Sequence, residues 1–216
     1  MFSGEVFYVR TPLELALDPA KVRRAGALIL IGAAQFALFL TVAEATYPGY
    51  SVSGNEISDL GATCRSGVCK VVQPSSNIFN VSVLSLGLFL LVGSYYIWGG
   101  YRSKPLTLFG VLAGIGNAGV GILSETTGAL HTAMSALTFL SIGVFGVLVF
   151  RVARPPMSYF SLLAGIATLV AMAPYGVGDY LGLGVGGMER IVVYPSLVNG
   201  LALGGYFIGV GEGERR

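Results

Sequence analysis

Histidine is almost missing from this chain. There is one, His131, and there are only two cysteines, Cys64 and Cys69. A single histidine excludes bis-histidine haem ligation. It also leaves a hydrolytic zinc site, which commonly takes three protein ligands and often several histidines, short of donors. No other cysteines exist to complete a zinc site, and the Cys-x4-Cys spacing does not match a Cys-x-x-Cys redox dithiol. Charge is scarce too, at 11% of 216 residues, where soluble domains carry about 25%. The net charge of +2 offers nothing to nucleic acid. A Gly-x-Ser-x-Gly elbow is absent, as are long polar linkers, so the chain reads as one domain.

What the chain has is apolar residues, 54% of the total. They gather into six runs, roughly 25–46, 77–99, 105–124, 128–151, 157–178 and 189–210, each long enough for a hydrocarbon core of about 30 Å. The sequence therefore predicts an all-α, polytopic membrane bundle of six helices. The 32 glycines lie within these runs without a collagen period and suit closely approaching helices.

Basic residues set the expected orientation. Arg10, Lys21, Arg23, Arg24, Arg102, Lys104, Arg151, Arg154, Arg215 and Arg216 fall on one side, and only Arg65, Lys70 and Arg190 on the other. The positive-inside rule then puts both termini in the cytoplasm of a cell-membrane protein. Trp98, Tyr95, Tyr96 and Tyr101 mark an expected inner aromatic belt, and Tyr47 and Tyr50 an outer one. The first run is too long for a signal-peptide core and reads as a retained helix. Residues 1–24 form a cytoplasmic segment, 25–211 the membrane domain and 212–216 a tail. Within the first segment Thr11, Pro12 and Glu14 have the spacing of a helix start, so either an interfacial helix or an unstructured tail fits.

Cys64 and Cys69 share the first outer loop, with Gly67 between them to turn the chain. In an oxidising space they predict a local disulfide. Six acidic residues, Glu44, Glu56, Asp59, Glu125, Asp179 and Glu189, also belong to the outer half, and the histidine joins them. Ionisable groups at membrane depth usually face a bundle interior or a wet cavity. Helical spacing adds polar stripes: His131, Ser135 and Thr138; Asn117 and Ser124; Thr41 and Glu44; Asn77 and Asn80; Ser196 and Asn199. Two accounts fit them. They converge on a polar cavity, or they join helices pairwise. For Glu125 and His131 a third account is a helix-cap turn at the headgroups.

Three segments carry a resemblance: "YPGYSVSGNEISDLGA", "SETTGALHTAMSALTF" and "GGMERIVVYPSLVNGLALGGYF". In order and topology they resemble domain-of-unknown-function family 998, uncharacterised archaeal and bacterial membrane proteins. That family in turn resembles the six-helix Frag1/DRAM/Sfk1 group, which includes factors acting on GPI-anchored lipids. The resemblance covers roughly 25–211 and implies no activity. It implies that Tyr47, Pro48, Tyr50, Asn55, Ser58, Asp59, Leu60, Gly61, Glu125, His131, Glu189, Arg190, Tyr194 and Pro195 occupy recurrent motif positions.

Three function classes follow. The foremost is a lipid-binding or accessory bundle, with Glu189, Arg190, Tyr194, Asn55, Ser58, Asn117 and Asn199 as binding residues. Arg190 is the expected phosphate ligand, since a guanidinium suits phosphate oxygens. The second is a membrane-embedded hydrolase or transferase acting on lipid headgroups through His131, Glu125 and Asp59, histidine being the residue type suited to proton exchange near neutral pH. The third is a small transporter, hinted at by the likeness of "VVQPSSN" to "VVYPSLVN". No residue set names a metal or a cofactor. The expected partner is membrane lipid, with a protein partner or a second copy left open.

Overall fold

The computed structural model describes residues 18–213, so Thr11, Pro12 and Glu14 lie outside the described residues. Six helices follow one another: α1 (Pro19–Ala45), α2 (Ser75–Tyr101), α3 (Lys104–Ile122), α4 (Ala129–Val149), α5 (Met157–Gly176) and α6 (Gly184–Gly213). All six are long and apolar enough to cross a membrane. Even α3, with 19 residues, rises about 28 Å.

Proline and glycine punctuate the helices. Pro19 opens α1 behind Asp18, whose carboxylate accepts from Lys21 N–H at 3.1 Å. This cap starts the helix ahead of the apolar run, so Lys21, Arg23 and Arg24 ride on its first turns. Pro105 sits in the first turn of α3. Gly128, at φ 59°, separates a short 3₁₀ turn (Glu125–Thr127) from α4. The sixth helix begins at Gly184 rather than at 189. Glu189 and Arg190 are therefore carried on its second turn, inside the bundle end.

Each helix packs on its sequence neighbours, and α1 packs on α6, which closes a ring. Glycines make the close approaches. A Cβ on Gly26 would lie 2.7 Å from Gly204 O, across α1 and α6. One on Gly165 would lie 2.7 Å from Val147 N, across α5 and α4. These backbones touch because no side chain separates them. Gln35, the deep polar residue of α1, donates from Nε2 to Gly32 O and across to Ser82 O at 2.9 Å.

One end of the ring carries a built cap, formed by the loop between α1 and α2. Within it a 3₁₀ turn (Ser58–Leu60) leads to a hairpin of β1 (Thr63–Arg65) and β2 (Val68–Lys70). Arg65 pairs with Val68, leaving Ser66 and Gly67 as a two-residue turn with φ of 52° and 81°. Positive φ at both positions is what a type I′ turn requires, and its twist suits a hairpin. Cys64 and Cys69 face each other and are bonded. Ile57 and Leu60 seat the cap on Phe36, Leu40, Phe79, Val83 and Val120.

Three expected belt residues turn inward instead. Tyr101 is buried and stacks near Phe207, with ring centroids 5.3 Å apart. Tyr47 is buried under the hairpin, where its hydroxyl meets Thr63 Oγ1 at 2.8 Å. Tyr50 points its hydroxyl at Glu56 O and Arg190. Tyr47 and Tyr50 gain both packing and a hydrogen bond, and Tyr101 gains packing in the core. Tyr95 is exposed. The two "VV-x-PS" segments are not structural repeats: Pro74 precedes α2, whereas Pro195 lies inside α6.

Candidate functional site

The cap is tied to the bundle by acidic and basic side chains. Arg190 on α6 is 6% exposed. Its Nη1 donates to Val52 O, Asn55 O and Gly186 O at 2.8, 3.2 and 2.9 Å. Its Nη2 donates to Glu44 Oε1 at 2.6 Å and Tyr50 Oη at 2.7 Å. The guanidinium thus clamps α1, the loop and α6 together. Its neighbour Glu189 accepts from Ile57 N–H.

A second knot lies at Asp59, which has no exposed surface. Its Oδ2 accepts from Asn55 Nδ2, Glu56 N–H and Arg65 Nη2, at 2.9, 2.9 and 2.8 Å. Glu125, from the α3–α4 turn, reaches the same place. Its Oε1 accepts from Ser58 Oγ at 2.8 Å and its Oε2 from Cys64 N–H at 3.0 Å. Arg65 stands among the acids, 2.8 Å from Asp59, 3.6 Å from Glu56 and 3.7 Å from Glu125. Carboxylate oxygens of Glu56, Asp59 and Glu125 all lie within 4.8 Å of one another, close enough to hold a cation. The Arg65 guanidinium already supplies a positive charge there.

His131 opens α4 and is 6% exposed. Its Nδ1 is 2.6 Å from Leu123 O, and its Nε2 is 3.4 Å from Ser135 Oγ. A carbonyl only accepts, so Nδ1 carries the proton. With the other ring nitrogen unprotonated, Nε2 accepts from Ser135 Oγ. Leu123 is the C-cap of α3, so the ring satisfies a carbonyl that the helix end leaves free.

These groups wall a cleft of about 410 Å³ at the capped end. Glu56, Ser58, Cys64 and Arg65 line it from the cap, and Glu125 from the α3–α4 turn. His131, Thr132, Ser135 and Phe139 line it from α4, Met172 and Tyr175 from α5, and Glu189 from α6. Tyr175 donates its hydroxyl to Glu56 Oε1. Beneath lies a second space of about 110 Å³ inside the ring. Its walls are apolar for the most part, with Ile29, Phe36, Val83, Leu90, Ile142 and Leu203 among them. Ser58, Ser135, Phe139 and Glu189 face both spaces.

The polar stripes therefore divide. Ser135, Thr138, Asn117 and Ser196 reach the inner chamber. Asn199 instead accepts from Ser161 Oγ at 2.7 Å and joins α5 to α6. Thr41 is exposed and bonds its own helix at Ala37 O, while Asn77 is exposed beside Gln73. Both accounts of the stripes hold, each for different residues. Of the expected site residues, Glu125, His131, Ser58 and Glu189 share the cleft. Asp59 and Asn55 stand behind its wall, Arg190 braces the cap, and Tyr194 is 39% exposed. The expected site set did not include Glu56, Arg65, Phe139, Met172 or Tyr175, and Ser135 was used only as a stripe position; Glu56 was counted among the outer acids and Arg65 among the outer basic residues. Glu56 and Arg65 stand within the loop's charged run, which was the available signal for them.

Burial pushes the Glu125 carboxyl above the ordinary glutamate value, against the opposing hydrogen bonds from Cys64 and Ser58. A carboxyl held high in the fold destabilises it once ionised. That penalty is absent below the unfolded value near 4.5 and complete above the folded one, so stability falls as pH rises through this window. Glu125→Gln is expected to flatten this part of the profile in thermal unfolding measured from acid to neutral pH. An unchanged slope would contradict it.

These features define a class: a multi-pass membrane protein whose helical ring is capped at one end by a disulfide-closed loop over a polar cleft. The chain belongs to the family described as "Protein of unknown function (DUF998)", which it matches over residues 30–205. That stretch contains every cleft residue named above. The match says nothing of the Frag1/DRAM/Sfk1 group. No curated protein and no solved structure matches the chain.

Proposed function

We propose that the protein binds a membrane lipid, with the headgroup in the capped cleft and part of an apolar tail in the chamber below. One observation carries this reading: Ser58, Ser135, Phe139 and Glu189 face a polar space on one side and an apolar space on the other. Such a pair of adjoining spaces suits an amphiphile better than a small solute or a bare ion. The proposed setting is the cell membrane with both termini cytoplasmic. Arg102, Lys104, Arg151 and Arg154 at the uncapped end support it, as does a disulfide at the capped end.

The test fills the chamber. Gly200 lines it, and a Cβ there would sit 3.4 Å from Ala33 Cβ, an ordinary contact. Gly200→Leu puts the rest of its side chain into the empty space. Native mass spectrometry of protein in mild detergent is expected to show at least about a tenfold loss of bound lipid, equivalent to about 1.4 kcal/mol. Lipid retained at the wild-type level by a folded variant would remove the reading.

A second reading, chemistry on the headgroup, draws on His131. Its Nε2 faces the hydroxyl of Ser135 at the boundary of the two spaces, and its Nδ1 is held by a carbonyl. A base oriented in this way can take a proton from a hydroxyl. Incubation with native lipid extract distinguishes the two. Turnover that vanishes in His131→Ala and Ser135→Ala supports chemistry, and unchanged lipids support binding alone.

A further inference from the structure

The charge around the cleft is unbalanced, and the imbalance narrows the ligand. Glu56, Asp59, Glu125 and Glu189 meet here, and Arg65 is the cation beside the first three. Arg190, on the far side of Glu189, is taken up by Glu44, Tyr50 and loop carbonyls. Lys70, the other basic residue of the hairpin, lies over the Tyr47 ring at 5.6 Å and does not line the cleft. Among the described residues, no cation but Arg65 lines the space.

Glu189 supplies an independent sign of a missing partner. It is 4% exposed and faces both the cleft and the chamber. One carboxylate oxygen accepts from Ile57 N–H. The other has no hydrogen-bond partner among the described residues. Because Glu189 lines both spaces, that oxygen is open to an occupant that brings a positive charge to it. Arg65 does not answer it, because its ion pairs are to Glu56, Asp59 and Glu125. Aromatic rings complete the wall: Phe139 and Tyr175 both line the cleft. Rings of this kind attract ammonium groups through their faces.

We infer that the bound amphiphile carries an ammonium headgroup, placed against Glu189 and Glu125 and between the Phe139 and Tyr175 rings. This deepens the lipid-binding reading and rests on it. An anionic headgroup without an ammonium would bring its charge to a cleft lined by three acids, Glu56, Glu125 and Glu189, and by one guanidinium already paired to the first two and to Asp59. A hydrated divalent ion would gain from the oxygens and nothing from the apolar chamber.

The experiment compares three amphiphiles of one chain length on the full protein in nonionic detergent: hexadecyltrimethylammonium, hexadecanol and hexadecyl phosphate. Each is titrated at low concentration, and binding is read by native mass spectrometry. The ammonium form is expected to bind at least about tenfold tighter than the alcohol, and the phosphate weaker than either. Glu189→Gln and, separately, Glu125→Gln are expected to erase most of the ammonium preference while leaving hexadecanol binding intact. Asp179→Asn, a charge change outside the cleft lining, should leave the order unchanged. Equal binding of all three probes, or a phosphate preference, would overturn the charge assignment and leave the lipid reading standing. No binding of any probe would overturn both. Displacement of the ammonium probe by calcium at concentrations where tetramethylammonium has no effect would also overturn it, and would give the carboxylates to an inorganic cation.

Discussion

Arg190→Ala is expected to cost about 3–5 kcal/mol, the range for breaking a buried charge pair by removing one partner. The guanidinium is 6% exposed and serves five acceptors on three separate segments. Without it, Glu44 holds an unpaired carboxylate, and Val52 O, Asn55 O and Gly186 O lose a donor. Lysine does not replace it, because a single ammonium cannot reproduce the planar fork that reaches both Glu44 and the carbonyls. Thermal unfolding in detergent should show both losses, Arg190→Ala the larger. Hydrogen exchange should rise first in residues 50–60, since that is where the clamped carbonyls lie. Glu44→Gln combined with Arg190→Met should recover part of the loss, as removal of a whole buried pair is often close to neutral. An Arg190→Ala protein within 1 kcal/mol of wild type would show that water reaches the clamp. Because Arg190 holds the loop whose residues line the cleft, the same substitution should also loosen the cleft.

The sequence carried the helices because their signal is local and long. An apolar run of about 20 residues has few alternatives to a membrane helix. The hairpin turn was legible for a similar reason: Gly67 between two cysteines five positions apart leaves the chain little choice. The inward turn of Tyr101 was not legible. Its partner Phe207 is more than a hundred positions away, and a tyrosine near a helix end looks the same whether it faces lipid or core. The cap was hidden by the same distance effect. Ile57 N–H meets Glu189 and Val52 O meets Arg190 across separations of 132 and 138 residues. Periodicity found the stripes and left their purpose open between a cavity and pairwise joining. It reports which residues share a face, not whether that face meets another helix or an empty space. His131 shows both halves of this. Spacing put it on the face of Ser135 and Thr138, where it is found. Its hold on Leu123 O came from a helix end that no periodicity describes.

Asp59 separates the strength of an acceptor from the strength of a charge, and two substitutions there should behave differently. Asp59→Ala removes the atom that accepts from Asn55, Glu56 N–H and Arg65. The partly buried donors of Asn55 and Glu56 then lack a partner, at an expected cost of about 1–3 kcal/mol. Asp59→Asn can keep a carbonyl at the Oδ2 position and place its amide where Oδ1 now has no partner. It loses the charge that faces Arg65 but keeps the hydrogen bonds. Because the Arg65 side chain is 49% exposed, solvent screens that pair, and the charge itself should be worth no more than about 1 kcal/mol. Unfolding of both variants measures the difference. Equal losses would mean that the charge dominates despite the exposure of Arg65. The second readout is lipid binding. Asp59 lies behind the cleft wall, so Asp59→Asn should retain the bound amphiphile, while Asp59→Ala should weaken it by releasing Glu56 and Ser58 from their places. A full loss of binding in Asp59→Asn would put the carboxylate in contact with the ligand, and the cap would then be part of the binding surface rather than its support.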